Sequence, residues 1–195
     1  MSDEQTDRLP LLTPGELDPA QKQLYDRMKE EQVPWATKAG FQTVTPDGKM
    51  LGPFNTLLYA PEVGQKYLDY FASEREHTPL TKRVHEIVIL AVGAAWGSGY
   101  ELYAHTAVGK SVGLPDDVIE AIVAGQAPEG VSEAEAAAYE FTRQLAATHR
   151  VDPAAYARAK AAFGDTGLVG IIMLTGLYLM TCATLNAFNV SVPQE

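Results

Sequence analysis

The stretch TKRVHEIVILAVGAAWGSGYELYAHTAVGKSVG, residues 81–113, decides how this chain folds. Thr81 is a good N-cap, and behind it runs IVILAVGAAW, in which the next charge after Glu86 is Glu101, fifteen positions on. An apolar run of that length without strand-like alternation reads as a helix buried on most sides. SGYELYAHTAVGKSVG continues it as a second helix closed by Gly113 in a C′ role.

Helical signals extend outward on both sides. Downstream, LPDDVIEAIVAG (114–125) opens with proline and two aspartates and closes on Gly125. SEAEAAAYEFTRQLAATHR (132–150) starts with a capping box of Ser132 and Glu135, and DPAAYARAKAAF (152–163) follows. Upstream, PEVGQKYLDYFASE (61–74) sets Val63, Tyr67, Tyr70 and Phe71 on one stripe. The first 48 residues are punctuated by Pro10, Pro14, Pro19, Pro34 and Pro46, with one helical piece at 19–31 carrying Leu24 and Met28. TPDGKMLGPF (45–54) has the turn chemistry to start a small hairpin. The pattern predicts an all-α fold of about seven to nine helices. It divides into an N-terminal arm (1–48), a helical domain (49–190) and a short tail (191–195).

From Thr166 to Gln194 there is no charged side chain. LVGIIMLTGLYLMTCATLNAF is long enough to cross a bilayer. Its threonines, Asn186 and its glycines, and the lack of flanking basic clusters, favour a helix buried in the protein or in a subunit interface. A face this apolar needs more cover than one small domain gives, so a homo-oligomer is expected.

Composition narrows the function. The 195 residues carry 25 acidic and 15 basic side chains, a formal net charge of −10, with no basic run to offset it. Nucleic acid and anionic membrane surfaces are poor partners for such a chain. The N-terminus MSDEQTDRLP is acidic where a secretory signal is basic and then apolar, which reads as cytoplasmic. Cys182 is the one cysteine, so a dithiol mechanism or a Cys-x-x-Cys metal site within the chain is excluded.

Glu101 and His105 stand at i, i+4, one turn apart on one helix face, and Ser98 shares that face. Glu86 enters from the preceding apolar helix. Burying a carboxylate costs several kcal/mol unless it is paired or protonated, roughly what such a cluster can offset. Two carboxylates in one pocket push one pKa up and leave a histidine near neutrality, the values that acid–base catalysis requires. A solvated helix face is the other reading of an i, i+4 Glu/His pair.

The spacing Glu86, eleven residues, Ser98, two, Glu101, three, His105 resembles the signature of the carboxymuconolactone decarboxylase and alkylhydroperoxidase AhpD-like family. Its thiol members read E-x11-C-x2-C-x3-H. The text VHEIVILAVGAAWGSGYELYAHTAVGKSVGLPDDVIEAI (84–122) is similar to the non-thiol branch, S-x-Y-E-x-x-x-H. The likeness is specific over 80–125 and looser over 50–190, where PFNTLLYAPEV and LNAFNV contribute, and it is absent from the first 45 residues. It implies an AhpD-like helical fold assembling as dimers, trimers or hexamers, with sites near subunit contacts and neither metal nor organic cofactor. Glu86 and His105 then fall at the proton-relay acid and histidine. Ser98 and Glu101 fall where the thiol members keep their cysteines. A hydroxyl and a carboxylate form neither disulfide nor sulfenic acid, so the thiol route to hydroperoxide reduction is closed.

What remains is proton chemistry on a small unsaturated lactone or carboxylic acid. Glu86, Glu101 and His105 are the expected catalytic residues. The expected substrate contacts are Trp96, as a flat wall unless it is a core residue, Ser98 and Tyr100 as donors, and Asn186, which points into the cavity or ties helices together. Local cations such as Lys82, Arg83 or Lys110 would hold a substrate carboxylate. His85, about 100° round the helix from Glu86, is expected to face solvent or the arm. Cys182 is read as an inert buried thiol. Two other functions stay open: a peroxidase-like antioxidant protein and a non-catalytic oligomeric ligand-binding protein.

Overall fold

The computed structural model describes residues 7–193; the first six residues of the arm and the last two of the tail lie outside them. Among the described residues eight helices follow one another. They are α1 (Pro19–Ala39), α2 (Pro53–Leu57), α3 (Pro61–His77), α4 (Lys82–Trp96), α5 (Gly99–Ser111), α6 (Asp116–Val123), α7 (Glu133–Thr148) and α8 (Pro153–Ala187), with a 3-10 turn at Pro14–Glu16. The fold is all-α, as the sequence predicts. The expected hairpin at 45–54 shrinks to a single antiparallel bridge, Val44 to Met50. Pro46, Asp47 and Gly48 do make the turn, but Gly52 takes φ +61° and Pro53 starts α2, which ends any ladder.

Helix α4 is the axis of the molecule. Thr81 caps it, every residue from Val84 to Gly93 is buried, and α5, α6, α7 and α8 pack around it. Gly97, in the left-handed region, turns the chain so that α5 runs back along α4. That reversal brings the first turns of α4 beside the middle of α5.

On α3 the buried side is Leu68 and Phe71, with Gly64, while Val63 is 68% exposed. The expected stripe is therefore displaced at its start, because Gly64 lets Leu24 of α1 approach too closely for a side chain there.

Helix α1 departs from expectation. It runs through Pro34 to Ala39, where the sequence reading stopped at 31. An interior proline costs a helix roughly 3 kcal/mol. Here the last turns are held by packing: Ala36 is buried against Tyr100 and Ala104, and Trp35 meets Phe41 and Phe71 edge-on. This continuation carries Trp35 and Lys38 to the site.

Helix α8 is continuous except at Gly164 (φ 63°, ψ −168°), where the chain breaks into the two helices that the sequence separates. Its uncharged second part is apolar and long enough to cross a membrane, yet half of that window is buried inside the fold. Ile171, Leu174, Tyr178 and Cys182 enter the main core, while Val169, Ile172, Met173 and Met180 are about half exposed along the outer side.

Candidate active site

The two helices of the α4–α5 hairpin place Glu86 and His105 face to face. His105 Nδ1 lies 2.7 Å from Glu86 Oε2, and its Nε2 lies 3.1 Å from Glu101 Oε1. All three residues are at most 5% exposed. The cluster expected from spacing is real, and the solvated-face reading is excluded.

It is also longer than expected. His85 is buried, with Nε2 2.8 Å from Glu74 Oε2 and Nδ1 3.4 Å from Glu86 Oε1. Glu74, His85, Glu86, His105 and Glu101 thus form one chain of alternating carboxylates and imidazoles. The expectation that His85 faces solvent or the arm fails for a physical reason. Helix α4 is enclosed on every side, so a residue 100° away from Glu86 points at another helix, here α3. Glu74 carried no signal in the sequence beyond its place among the charges of α3.

The electrostatics also correct the expectation. Burial by itself would lower the His105 pKa, but the Glu86 charge, aided by hydrogen bonds to Glu101 and Glu86, raises it to about 10. Burial, the largest single influence, would raise Glu86, but the His105 charge and the hydrogen bonds to His105 and His85 together outweigh it and hold Glu86 down at about 2. His85 is raised too: its desolvation is outweighed by hydrogen bonds to Glu74 and Glu86 together. The centre is therefore an imidazolium between carboxylates. It is neither a neutral histidine nor a protonated Glu86. Both nitrogens of each imidazole face a carboxylate, and among the described residues no group of three His, Cys, Asp or Glu is disposed to hold a metal.

Two spaces border this centre. One is a narrow chamber of about 30 Å³, room for a water-sized group, lined by Glu101 and His105 and by apolar walls including Phe54, Phe71 and Tyr178. Tyr67 closes part of it, its hydroxyl 2.7 Å from Thr181 Oγ1. The other is a wide cleft of about 540 Å³ with His85, Glu86 and His105 among its lining. His105, Tyr178, Trp35 and Phe71 border both. The Tyr178 ring meets His105 edge-on at 5.0 Å.

The expected substrate contacts fare less well. Tyr100 lines the chamber, but its hydroxyl donates to Gln42 O at 2.6 Å and is spent. Gly52 leaves room for that ring: a Cβ there would stand 2.2 Å from Tyr100 Cε1. Ser98 is wholly buried and lines neither space; the Cys182 thiol is a polar neighbour. Trp96 packs against the core at the end of α4, outside both spaces. Asn186 is exposed and donates to Trp96 O at 2.7 Å, so it ties α8 to α4 and does not enter a cavity. Of the three expected cations, Arg83 is paired with Glu135 at 2.6 Å and Lys110 with Asp116 at 3.1 Å. Only Lys82 lines the cleft, where Lys38 and Arg75 join it. Burial pushes the Cys182 thiol up to about 12, which keeps it inert as expected.

The sequence model of the carboxymuconolactone decarboxylase family matches residues 61–144, the segment that carries Glu74, His85, Glu86, Glu101 and His105. No curated protein sequence matches the chain. Among solved structures, an uncharacterized peroxidase-related protein with an alkylhydroperoxidase AhpD core from Ralstonia eutropha JMP134 is similar at 20% identity, with a TM-score of 0.76 over 96% of this chain and 93% of its own. An uncharacterized peroxidase-related protein from Silicibacter sp. TM1040 is similar at 15% identity, TM-score 0.73, over 99% and 95%. A cysteine-to-alanine variant of the debrominase Bmp8, in complex with 2,3,4-tribromopyrrole, is similar at 14% identity, TM-score 0.72, over 96% and 94%. The AhpD-like fold is thereby established.

Proposed function

We propose that this protein is a cofactor-independent lyase or isomerase that performs acid–base chemistry on a small unsaturated lactone or carboxylic acid. The observation that carries the reading is the buried Glu86–His105–Glu101 centre at the boundary of two cavities; the motif resemblance, which sets Ser98 and Glu101 at the places of the thiol members' cysteines, supports it. The cleft has room for a one-ring substrate and the chamber does not, so the substrate's seat is the cleft and His105 is the proton donor it meets.

In a decarboxylation the bond to the carboxylate carbon breaks, CO2 departs, and its electron pair delocalises into the unsaturated system. The imidazolium stabilises that charge as it develops; one of its N–H groups turns from its carboxylate to the substrate, and that proton goes to carbon. Glu86 and Glu101 keep His105 charged and fix its ring. His85 and Glu74 link Glu86 to α3, an arrangement suited to returning a proton from solvent. The same elements serve an isomerisation, in which a proton is removed and returned without loss of CO2.

A thiol peroxidase reading fits this chain poorly. Its one thiol is buried and pushed up to about 12, and the motif offers no second. The half-exposed apolar row on α8 supports assembly into a homo-oligomer, and the acidic chain is read as a cytoplasmic protein acting on a small molecule. The deciding experiment is a turnover screen against unsaturated lactones and vinylogous or β-keto acids, with Glu101→Gln as control. Conversion by the parent that is lost in the variant supports the reading. A screen with no conversion at all favours a non-catalytic ligand-binding protein.

A further inference from the structure

The chain is acidic overall, yet the wide cleft is not. Its lining holds Lys38, Arg75 and Lys82 with His85 and His105, against the single carboxylate of Glu86. Glu86 is consumed by the two histidines. Elsewhere most basic side chains are matched, among them Lys22 to Asp26, Lys66 to Asp69, Arg83 to Glu135 and Lys110 to Asp116. At the cleft, among the described residues, neither Lys38 nor Lys82 has a carboxylate within ion-pair distance. Arg75 instead lies over the rings of Trp35 and Phe71, at 5.0 and 5.4 Å from their centroids. Those two rings and Tyr178 give the cleft flat apolar walls.

We propose that the cleft mouth is an anion subsite in which Lys38, Arg75 and Lys82 receive the carboxylate of a flat, ring-sized organic acid. Unpaired ammonium groups beside a partly desolvated space favour an anion, and Arg75, already oriented by its stacking, offers a planar fork to a carboxylate. The aromatic walls favour a planar unsaturated ring over a chain. Trp35 and Lys38 both belong to α1 beyond Pro34, so the N-terminal arm completes the binding site and is more than a strap on the domain. The subsite rests on the cleft being the substrate's seat in the acid–base reading above. It is tested by binding without turnover, so either can fail while the other stands.

The probes are benzoate and its neutral isostere benzamide, titrated into the full chain while the His85 and His105 ring resonances are followed by NMR. Benzoate is expected to shift both histidines and to bind roughly tenfold tighter than benzamide, and to weaken as salt rises from about 50 to about 500 mM. Lys38→Gln with Lys82→Gln, two exposed changes that leave the core untouched, should weaken benzoate by roughly tenfold and leave benzamide unchanged. A melting curve like the parent's shows that the double variant is folded. Equal binding of the two probes, unaltered benzoate binding in the double variant, or no histidine shift up to tens of millimolar benzoate would each overturn the subsite.

Discussion

His105→Ala removes the imidazole held between Glu86, at 2.7 Å, and Glu101, at 3.1 Å. The surroundings lift His105 from 6.5 to about 10, and at about 1.4 kcal/mol per unit this corresponds to roughly 5 kcal/mol of favourable interaction with the charged ring. The depression of Glu86 to about 2 describes the same pair and is not added to it. Truncating one partner of a buried pair costs about 3 to 5 kcal/mol, so the variant should lose that much near pH 6.

The sign with pH follows from both shifts. A raised histidine contributes fully below 6.5 and loses its contribution as pH climbs through about 10. A depressed carboxylate contributes fully above 4.5 and loses it as pH falls through about 2. The stability gap between parent and variant should therefore be greatest between 4.5 and 6.5 and shrink steadily towards pH 10. Urea unfolding of both proteins, at one fixed concentration and stepped in pH, measures the gap. A gap below about 1 kcal/mol, the worth of an exposed pair, or one that is flat from pH 6 to pH 10, would refute the buried imidazolium.

Glu101→Gln keeps shape and removes charge; the protein should stay folded while turnover on any substrate found drops by on the order of 100-fold, and undiminished turnover would remove Glu101 from the mechanism. Cys182→Ser should leave that turnover within about twofold, since a thiol held this high is not a nucleophile, and a parent with no thiol peroxidase turnover completes the expectation. Met173→Glu with Met180→Glu should shift light scattering from oligomer to monomer by placing charges on the half-exposed row of α8. A stable parent monomer would end the oligomer reading.

The sequence alone determined the all-α class, the α4–α5 hairpin and the central Glu86–His105–Glu101 grouping. Each of these is local: capping, apolar runs and i, i+4 spacing are written within a turn or two of chain. Tertiary structure decided what lies further out. Helix α4 is enclosed by four others, and that burial turns His85 from an expected surface residue into a member of the cluster, paired with Glu74. The same burial decides which charges survive, because the net pKa of His105 balances desolvation against neighbours from two helices. Ser98 does not reach a cavity, and the structure decides between the two places open to Trp96 and to Asn186 in favour of the core and of a tie between helices, because a residue type says that a partner is needed without saying where it stands. Lys38 and Trp35 were invisible because Pro34 argued for a helix end, and packing against Phe41, Phe71 and Tyr100 overrode it. The cleft itself is a gap between the consecutive helices α3, α4 and α5 and the distant α1 and α8. Its shape exists only once they are packed.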